Sequence, residues 1–190
     1  MAQVRGTVIT ARLKWVRDRF GEPGVRHLKS NLSEASRARI AARIQPHDWV
    51  PFDLYLDVTH EIDRLWGRGD LELVRELGRA TADLSLPTIL KMFLRFGAPD
   101  FTVRQGAKLW RHYYDSGSPE LRQISDTEGD GCCLTLPDFE TPAAAHCASI
   151  LGWMERSVEL SGAKVLWARK TACRLHGAPA CVFELRWARG

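Results

Sequence analysis

Three of the five cysteines, Cys147, Cys173 and Cys181, fall in the C-terminal quarter of the chain; the other two, Cys132 and Cys133, are adjacent. An odd number that includes a neighbouring pair argues against a disulfide framework and for a reducing compartment. Cys173 and Cys181 bracket one short turn, RLHGAPA, between two β-like runs, AKVLWARK and CVFELRW. A hairpin there sets them side by side. Cys147 sits on an apolar helical face with Ala143, Ile150, Leu151, Met154 and Val158, the face that must meet that hairpin. Packing alone is therefore expected to gather the three sulfurs. Without a cation they stay protonated and buried as small hydrophobes, because adjacent thiolates repel. Cys132 and Cys133, at a strand start, point to opposite faces and read as core or solvated thiols.

The second chemical candidate is aromatic. Trp110, Tyr113, Tyr114, Trp153 and Trp167 are candidates to line a pocket for a small apolar or aromatic molecule, with plain core packing as the alternative. Trp110 and Tyr114 share a helix face and Tyr113 turns toward its edge. The sequence holds no G-x-S-x-G, no phosphate-binding glycine loop and no H-E-x-x-H. His60 and His112 lie on helical runs with no evident partner. The expectation is a protein that is not an enzyme and has no catalytic residue.

These residues need elements to hold them. Residues 4–10, VRGTVIT, read as a short strand or an extended lead-in, with Thr10 capping a helix that Gly21 stops and Pro23 restarts. Ser33, with Leu32 before it, caps a third short helix. Pro51 opens a longer one striped by Tyr55, Val58, Ile62, Leu65 and Trp66, with Asp57, Glu61 and Arg64 opposite. Asp70 caps the next, whose buried face is Leu73, Val74, Leu77, Thr81 and Leu84. Pro87 and Pro99 open two more; the last carries Val103, Ala107, Trp110 and Tyr114. LRQIS and CCLTL then make a hairpin around DTEGDG. Thr141 and Pro142 open a helix that closes at Gly162, a left-handed position just past its last apolar residue. Two strands follow. In the second, Cys181, Phe183, Leu185 and Trp187 share one face. Helices followed by hairpins predict an α+β fold. An N-terminal helical layer, residues 1–115, packs on a small antiparallel sheet, and residues 116–190 form hairpin, helix, hairpin within a single domain.

The chain has 190 residues, 45% hydrophobic and 26% charged, enough for a sizeable core. The net charge of +4 is spread over interleaved acids and bases, so no basic stripe for nucleic acid is expected. No apolar run approaches the ~18 residues of a membrane span. No secretory signal is visible at the start, and the cytoplasm is the expected location.

The C-terminal unit resembles the vinyl-four-reductase (4-vinyl reductase) domain. The residues that carry the resemblance are Cys147-x4-Gly152-Trp153, Gly162-Ala163 leading into a strand, and Cys173-x3-Gly177-x3-Cys181-x-Phe183. That domain shares a fold with heme-NO-binding domains and with TRAPP vesicle-tethering subunits. The whole length is also similar to a paralogous family of myxobacterial proteins, on GTVI, the FLRFGAPDF region, LWRHYYDSG, GWMER and the cysteine hairpin; this second resemblance carries no functional knowledge. The first implies a ligand pocket between helical layer and sheet, and a structural zinc on Cys147, Cys173 and Cys181 with a glutamate as fourth ligand. Here the glutamate position is Lys170, a departure that leaves the zinc without its anion. His176, in the hairpin turn, is a better replacement than His146, which diverges from Cys147 on the helix. The leading expectation is a sensory or regulatory domain that binds a small molecule and acts through a protein partner or its own homodimer. Seven tryptophans without a second domain add to the dimer reading. The alternatives are a ligand-free assembly subunit like the TRAPP proteins, and an enzyme that converts a small molecule.

Overall fold

The computed structural model describes residues 1–85, 108–126 and 129–188. The segments opened by Pro87 and Pro99 lie mostly outside these residues, as do Val103 and Ala107.

The N-terminal strand is shorter than expected. β1 covers only Gln3–Arg5 and pairs antiparallel with β2, Trp49–Pro51. Helix α1, Gly6–Asn31, starts four residues before Thr10, whose hydroxyl donates to the Thr7 carbonyl inside the helix at 3.0 Å. The pairing with β2 decides this boundary, because it holds Arg5 extended and releases the chain into helix at once. Gly21, at φ 64°, breaks α1 where the glycine was read as a stop. Ser33 caps α2, Glu34–Ala41, accepting from Ser36 N at 3.3 Å, and Leu32 is buried beside it. In α3, Phe52–Trp66, the stripe of Tyr55, Val58 and Ile62 is wholly enclosed. Its expected polar face is not all solvated: Glu61 is buried and paired to Arg64. Asp70 accepts from Glu72 N at 3.1 Å and opens α4, Glu72–Ser85, on which Val74, Leu77 and Thr81 are buried but Leu84 is exposed. Residues 108–113 are helical, and Tyr114 bridges to Val4.

The second half is a four-stranded antiparallel sheet in the order β3-β4-β6-β5: β3 Glu120–Asp126, β4 Gly129–Leu136, β5 Lys164–Ala172 and β6 Cys181–Ala188. Cys132 and Cys133 are both buried in β4. Helix α5, Ala144–Leu160, packs on this sheet. It begins later than the Thr141–Pro142 signal predicts. Phe139 is drawn into the core and Ala143 stays extended, so α5 has no side-chain cap. At its far end Gly162 adopts φ 88°, the left-handed position expected of it.

The fold is α+β, and α5 is its middle layer. Helix α4 lies so close to α5 that a Cβ on Gly152 would run into the Arg75 carbonyl, and one on Gly78 into the Ser149 carbonyl. Ion pairs flank the contact. Arg75 meets Glu155 at 2.9 Å, Arg79 meets Glu159 at 2.6 Å and Arg156 meets Asp83 at 2.9 Å. The core face of β6 is closed, with Cys181, Phe183, Leu185 and Trp187 each at most 3% exposed.

Candidate functional site

Consecutive side chains on a helix diverge by about 100°. His146 and Cys147, in the first turn of α5, therefore face two different interiors.

His146 enters a cage of rings. Its imidazole centroid lies 4.5 Å from Phe139, 4.9 Å from Tyr114, 5.1 Å from Phe52, 5.8 Å from Trp110 and 5.9 Å from Tyr55. Trp110 stacks on Tyr114 at 4.4 Å and Phe52 on Tyr55 at 5.0 Å. The Trp110 indole N–H donates to the Ser116 carbonyl at 2.8 Å. Beneath Tyr55 lies Arg12, 1% exposed, with its guanidinium 4.4 Å from the ring centroid. Its Nε donates to Thr59 Oγ1 at 2.8 Å, Nη1 to the Val8 carbonyl at 3.1 Å and Nη2 to Ser149 Oγ at 3.1 Å. Thus α1, α3 and α5 are joined through one buried cation, which is satisfied by hydrogen bonds without a carboxylate.

Two polar atoms in this cage have no hydrogen-bond partner among the described residues: His146 Nε2 and the Tyr55 hydroxyl. Burial, and then the Arg12 charge, depress His146 from 6.5 to about 3, so it is neutral at ordinary pH. Burial also raises the Tyr114 phenol well above its ordinary value, with the nearby Tyr55 acting in the same direction. The cage therefore offers a neutral imidazole and the protonated Tyr114 phenol in an apolar wall.

Cys147 faces the hairpin. The three sulfurs of Cys147, Cys173 and Cys181 all lie within 4.8 Å of one another, as packing requires. Cys147 Sγ donates to Cys181 Sγ at 3.8 Å, the Arg174 backbone N–H donates to Cys181 Sγ at 3.5 Å, and Lys170 Nζ donates to Cys173 Sγ at 3.3 Å. Burial and the adjacent Cys181 push the Cys147 thiol up to about 12. Burial would push Cys173 up as well, but the Leu175 backbone N–H and the Lys170 ammonium outweigh it and hold that thiol below its ordinary value. Among the described residues no fourth histidine, cysteine or carboxylate joins the set, and His176 is exposed.

The five aromatic candidates do not form one wall. Trp110 and Tyr114 belong to the cage. Tyr113 packs edge-on against His112 outside it, at 5.5 Å. Trp153 packs against Ala82 and the edge of the main core. Trp167 sits on the opposite face of the sheet, under the Arg169 guanidinium at 4.3 Å. The residues that complete the cage, Phe52, Tyr55, Phe139, His146 and Arg12, were not among the ligand-binding candidates; His146 was weighed only as a metal ligand. Arg12 alone left a signal, a charge on the helical stripe of Val8, Ile9, Trp15 and Val16. A surface groove of about 260 Å³ between α1, α4 and α5, lined by Trp15, Arg19, Glu76, Arg79, Ala80, Asp83 and Arg156, is charged and unlike an apolar ligand site.

The architecture matches solved structures closely while the sequence does not. The chain superposes on an H-NOX protein from Shewanella oneidensis in the Fe(II) ligation state with a TM-score of 0.74 at 10% identity, covering 97% of this chain and 96% of that one. An unliganded Fe(II) H-NOX mutant from K. algicida gives 0.67 at 13% identity, covering 98% and 97%. An oxygen-binding H-NOX domain related to soluble guanylate cyclases gives 0.62 at 14% identity, covering 97% and 95%. No protein-family model and no curated protein sequence matches the chain. The class defined is a protein of the H-NOX fold, the fold that the vinyl-four-reductase resemblance also implied.

Proposed function

We propose that this protein is a sensory domain that binds a small, mostly apolar or aromatic molecule between its helical layer and its sheet, and acts through association with a protein partner or with itself. The observation that supports this reading is the pair of unpartnered atoms, His146 Nε2 and the Tyr55 hydroxyl, inside one apolar cage. Buried polar groups are normally satisfied, and leaving one bare costs roughly 1–3 kcal/mol. A small ligand admitted by rearrangement of these rings could give such an atom a partner, with the rings supplying its apolar contacts. No helix among the described residues is long and apolar enough to cross a membrane.

The fold neighbours are heme-NO-binding domains, and His146 is the described residue of the cage that could ligate a heme iron. A neutral imidazole with a free nitrogen is a donor that heme iron takes. Its surroundings are not those of a heme ligand, because five rings crowd His146 at contact distance, with no slot for a porphyrin among them. The described residues around His146 do not fit heme. Zinc, implied by the vinyl-four-reductase resemblance, meets a similar obstacle. A closed structural site takes four ligands, and here the ammonium of Lys170 stands beside the third sulfur where an anion is needed.

A second reading, a ligand-free assembly subunit, is favoured by the close ring packing itself. Native mass spectrometry of the purified protein separates the two. The sensory reading expects a small non-covalent adduct that is released on denaturation and is absent from the Tyr55→Phe, His146→Phe double variant. A bare chain mass in both proteins would leave the assembly reading standing. Light scattering should give twice the 21.5 kDa chain mass if the association is with itself.

A further inference from the structure

We propose that Cys173 and Cys181 form a peroxide-oxidisable dithiol, with Cys173 as the attacking sulfur, Lys170 as its cationic partner and Cys181 as the resolving thiol. This is a modification site, and it stands independently of the ligand reading.

The geometry carries it. One step beyond the Ala172–Val182 pair of the β5–β6 ladder, Cys173 faces Cys181 across the mouth of the hairpin. Directly opposed positions on antiparallel strands lie within the Cα range a disulfide accepts. The sulfurs already lie within 4.8 Å, and side-chain rotation has only to close them to the ~2 Å of a bond. The polar contacts around the pair are asymmetric. Cys173 receives the Lys170 ammonium, whereas Cys181 receives the Cys147 thiol and the Arg174 amide. A sulfur beside an ammonium is the better nucleophile, because the cation stabilises its thiolate. Cys147, on the inner face of α5, keeps its proton and acts only as a donor. Cys173 opens the turn Arg174–His176, whose Leu175 is 48% exposed, so the dithiol lies beside a surface turn although Cys173 itself is buried.

The chemistry balances. The Cys173 thiolate attacks one oxygen of hydrogen peroxide. The O–O bond breaks, a sulfenic acid forms, and the departing hydroxide takes a proton from Lys170, which recovers it from solvent. The Cys181 sulfur then attacks the sulfenic sulfur, the S–O bond breaks, and hydroxide leaves as water with the Cys181 proton. One peroxide accepts two electrons, and the products are one disulfide and two waters.

Trypsin makes the test direct, because cleavage after Lys170, Arg174 and Arg186 places Cys173 in peptide 171–174 and Cys181 in peptide 175–186, while Cys132, Cys133 and Cys147 remain together in 123–156. The reduced protein, treated with a chelator and then with equimolar hydrogen peroxide, should yield peptides 171–174 and 175–186 joined by a disulfide. Cys181→Ala should stop at a sulfenic acid on 171–174, trapped by dimedone. Lys170→Met should slow the cross-link about ten-fold, and Cys147→Ala should leave it in place. A cross-link through peptide 123–156, unreacted thiols, or an equimolar metal that survives chelation and shields the sulfurs would overturn the proposal. So would an unchanged rate in Lys170→Met. The wild-type peptide map decides the main claim even if a variant fails to fold.

Discussion

His146 and Cys147 are neighbours in the chain and belong to interiors of opposite chemistry. The ring cage around His146 is assembled from α1, α3, the 108–114 segment, the Phe139 segment and α5, and its charge is a single buried arginine. The thiol cluster around Cys147 is assembled from α5 and one hairpin, and its charge is a lysine at the edge. Two physical links join them. One is the first turn of α5; the other is Arg174, which follows Cys173 and donates to the Phe139 carbonyl that forms part of the cage. The difference teaches why one interior suits recognition and the other suits reaction. Recognition needs rigid apolar walls with few polar atoms. Reaction needs a nucleophile near the surface with a charge beside it.

The largest expected effect comes from disturbing what both regions share. Gly152→Ala places a methyl against the Arg75 carbonyl where α4 and α5 touch, and should cost about 3 kcal/mol. A denaturation midpoint unchanged by this variant would contradict the close approach and remove the common support of the two regions.

Acid should act on the cage. The folded state holds His146 neutral down to about 3, whereas the unfolded chain takes up its proton near 6.5. The unfolded state therefore binds more protons across that window, and this contribution to stability is present above 6.5 and lost as pH falls. The slope approaches 1.4 kcal/mol per pH unit. Among the described residues, Arg12, Tyr55 and Tyr114 are the charged and titratable groups facing the imidazole. Urea denaturation of wild type and His146→Phe, compared between pH 6.5 and 5 and so above the carboxylate range, should show the loss in wild type alone.

Alkali should act on the cluster. Cys147 is pushed from 9 up to about 12, so its contribution is present below 9 and declines as pH rises toward 12. Between pH 9 and 10, before the raised Tyr114 phenol adds to the same flank, wild type should lose about 1 kcal/mol relative to Cys147→Ala. Equal slopes for the two proteins would mean that this thiol is not enclosed as described. The smallest effect lies outside both regions. Gly162→Ala forces a Cβ into a left-handed conformation at φ 88° and should cost about 1 kcal/mol, read as a lowered midpoint with neither pH flank altered.

Much of the thiol cluster was legible in the residues, and little of the cage was. Gly21, Ser33, Asp70 and Gly162 act through backbone conformation or a hydrogen bond spanning a few residues, so their types and positions alone specified breaks and caps. The alternation of Cys181, Phe183, Leu185 and Trp187 specified a strand with one buried face, and the turn between Cys173 and Cys181 specified their meeting. Thr10 and Thr141 carried equally good local signals and were overridden, the first by pairing with β2 and the second by the burial of Phe139. The cage depends on contacts such as Arg12 with Ser149, 137 positions apart, which no local pattern encodes. Local free energies of a fraction to ~1 kcal/mol set where elements begin and end. That Cys147 would face sulfur could be read from its apolar helical stripe; that His146, one position earlier, would face a cage of rings was decided only when α5 settled between α4 and the sheet.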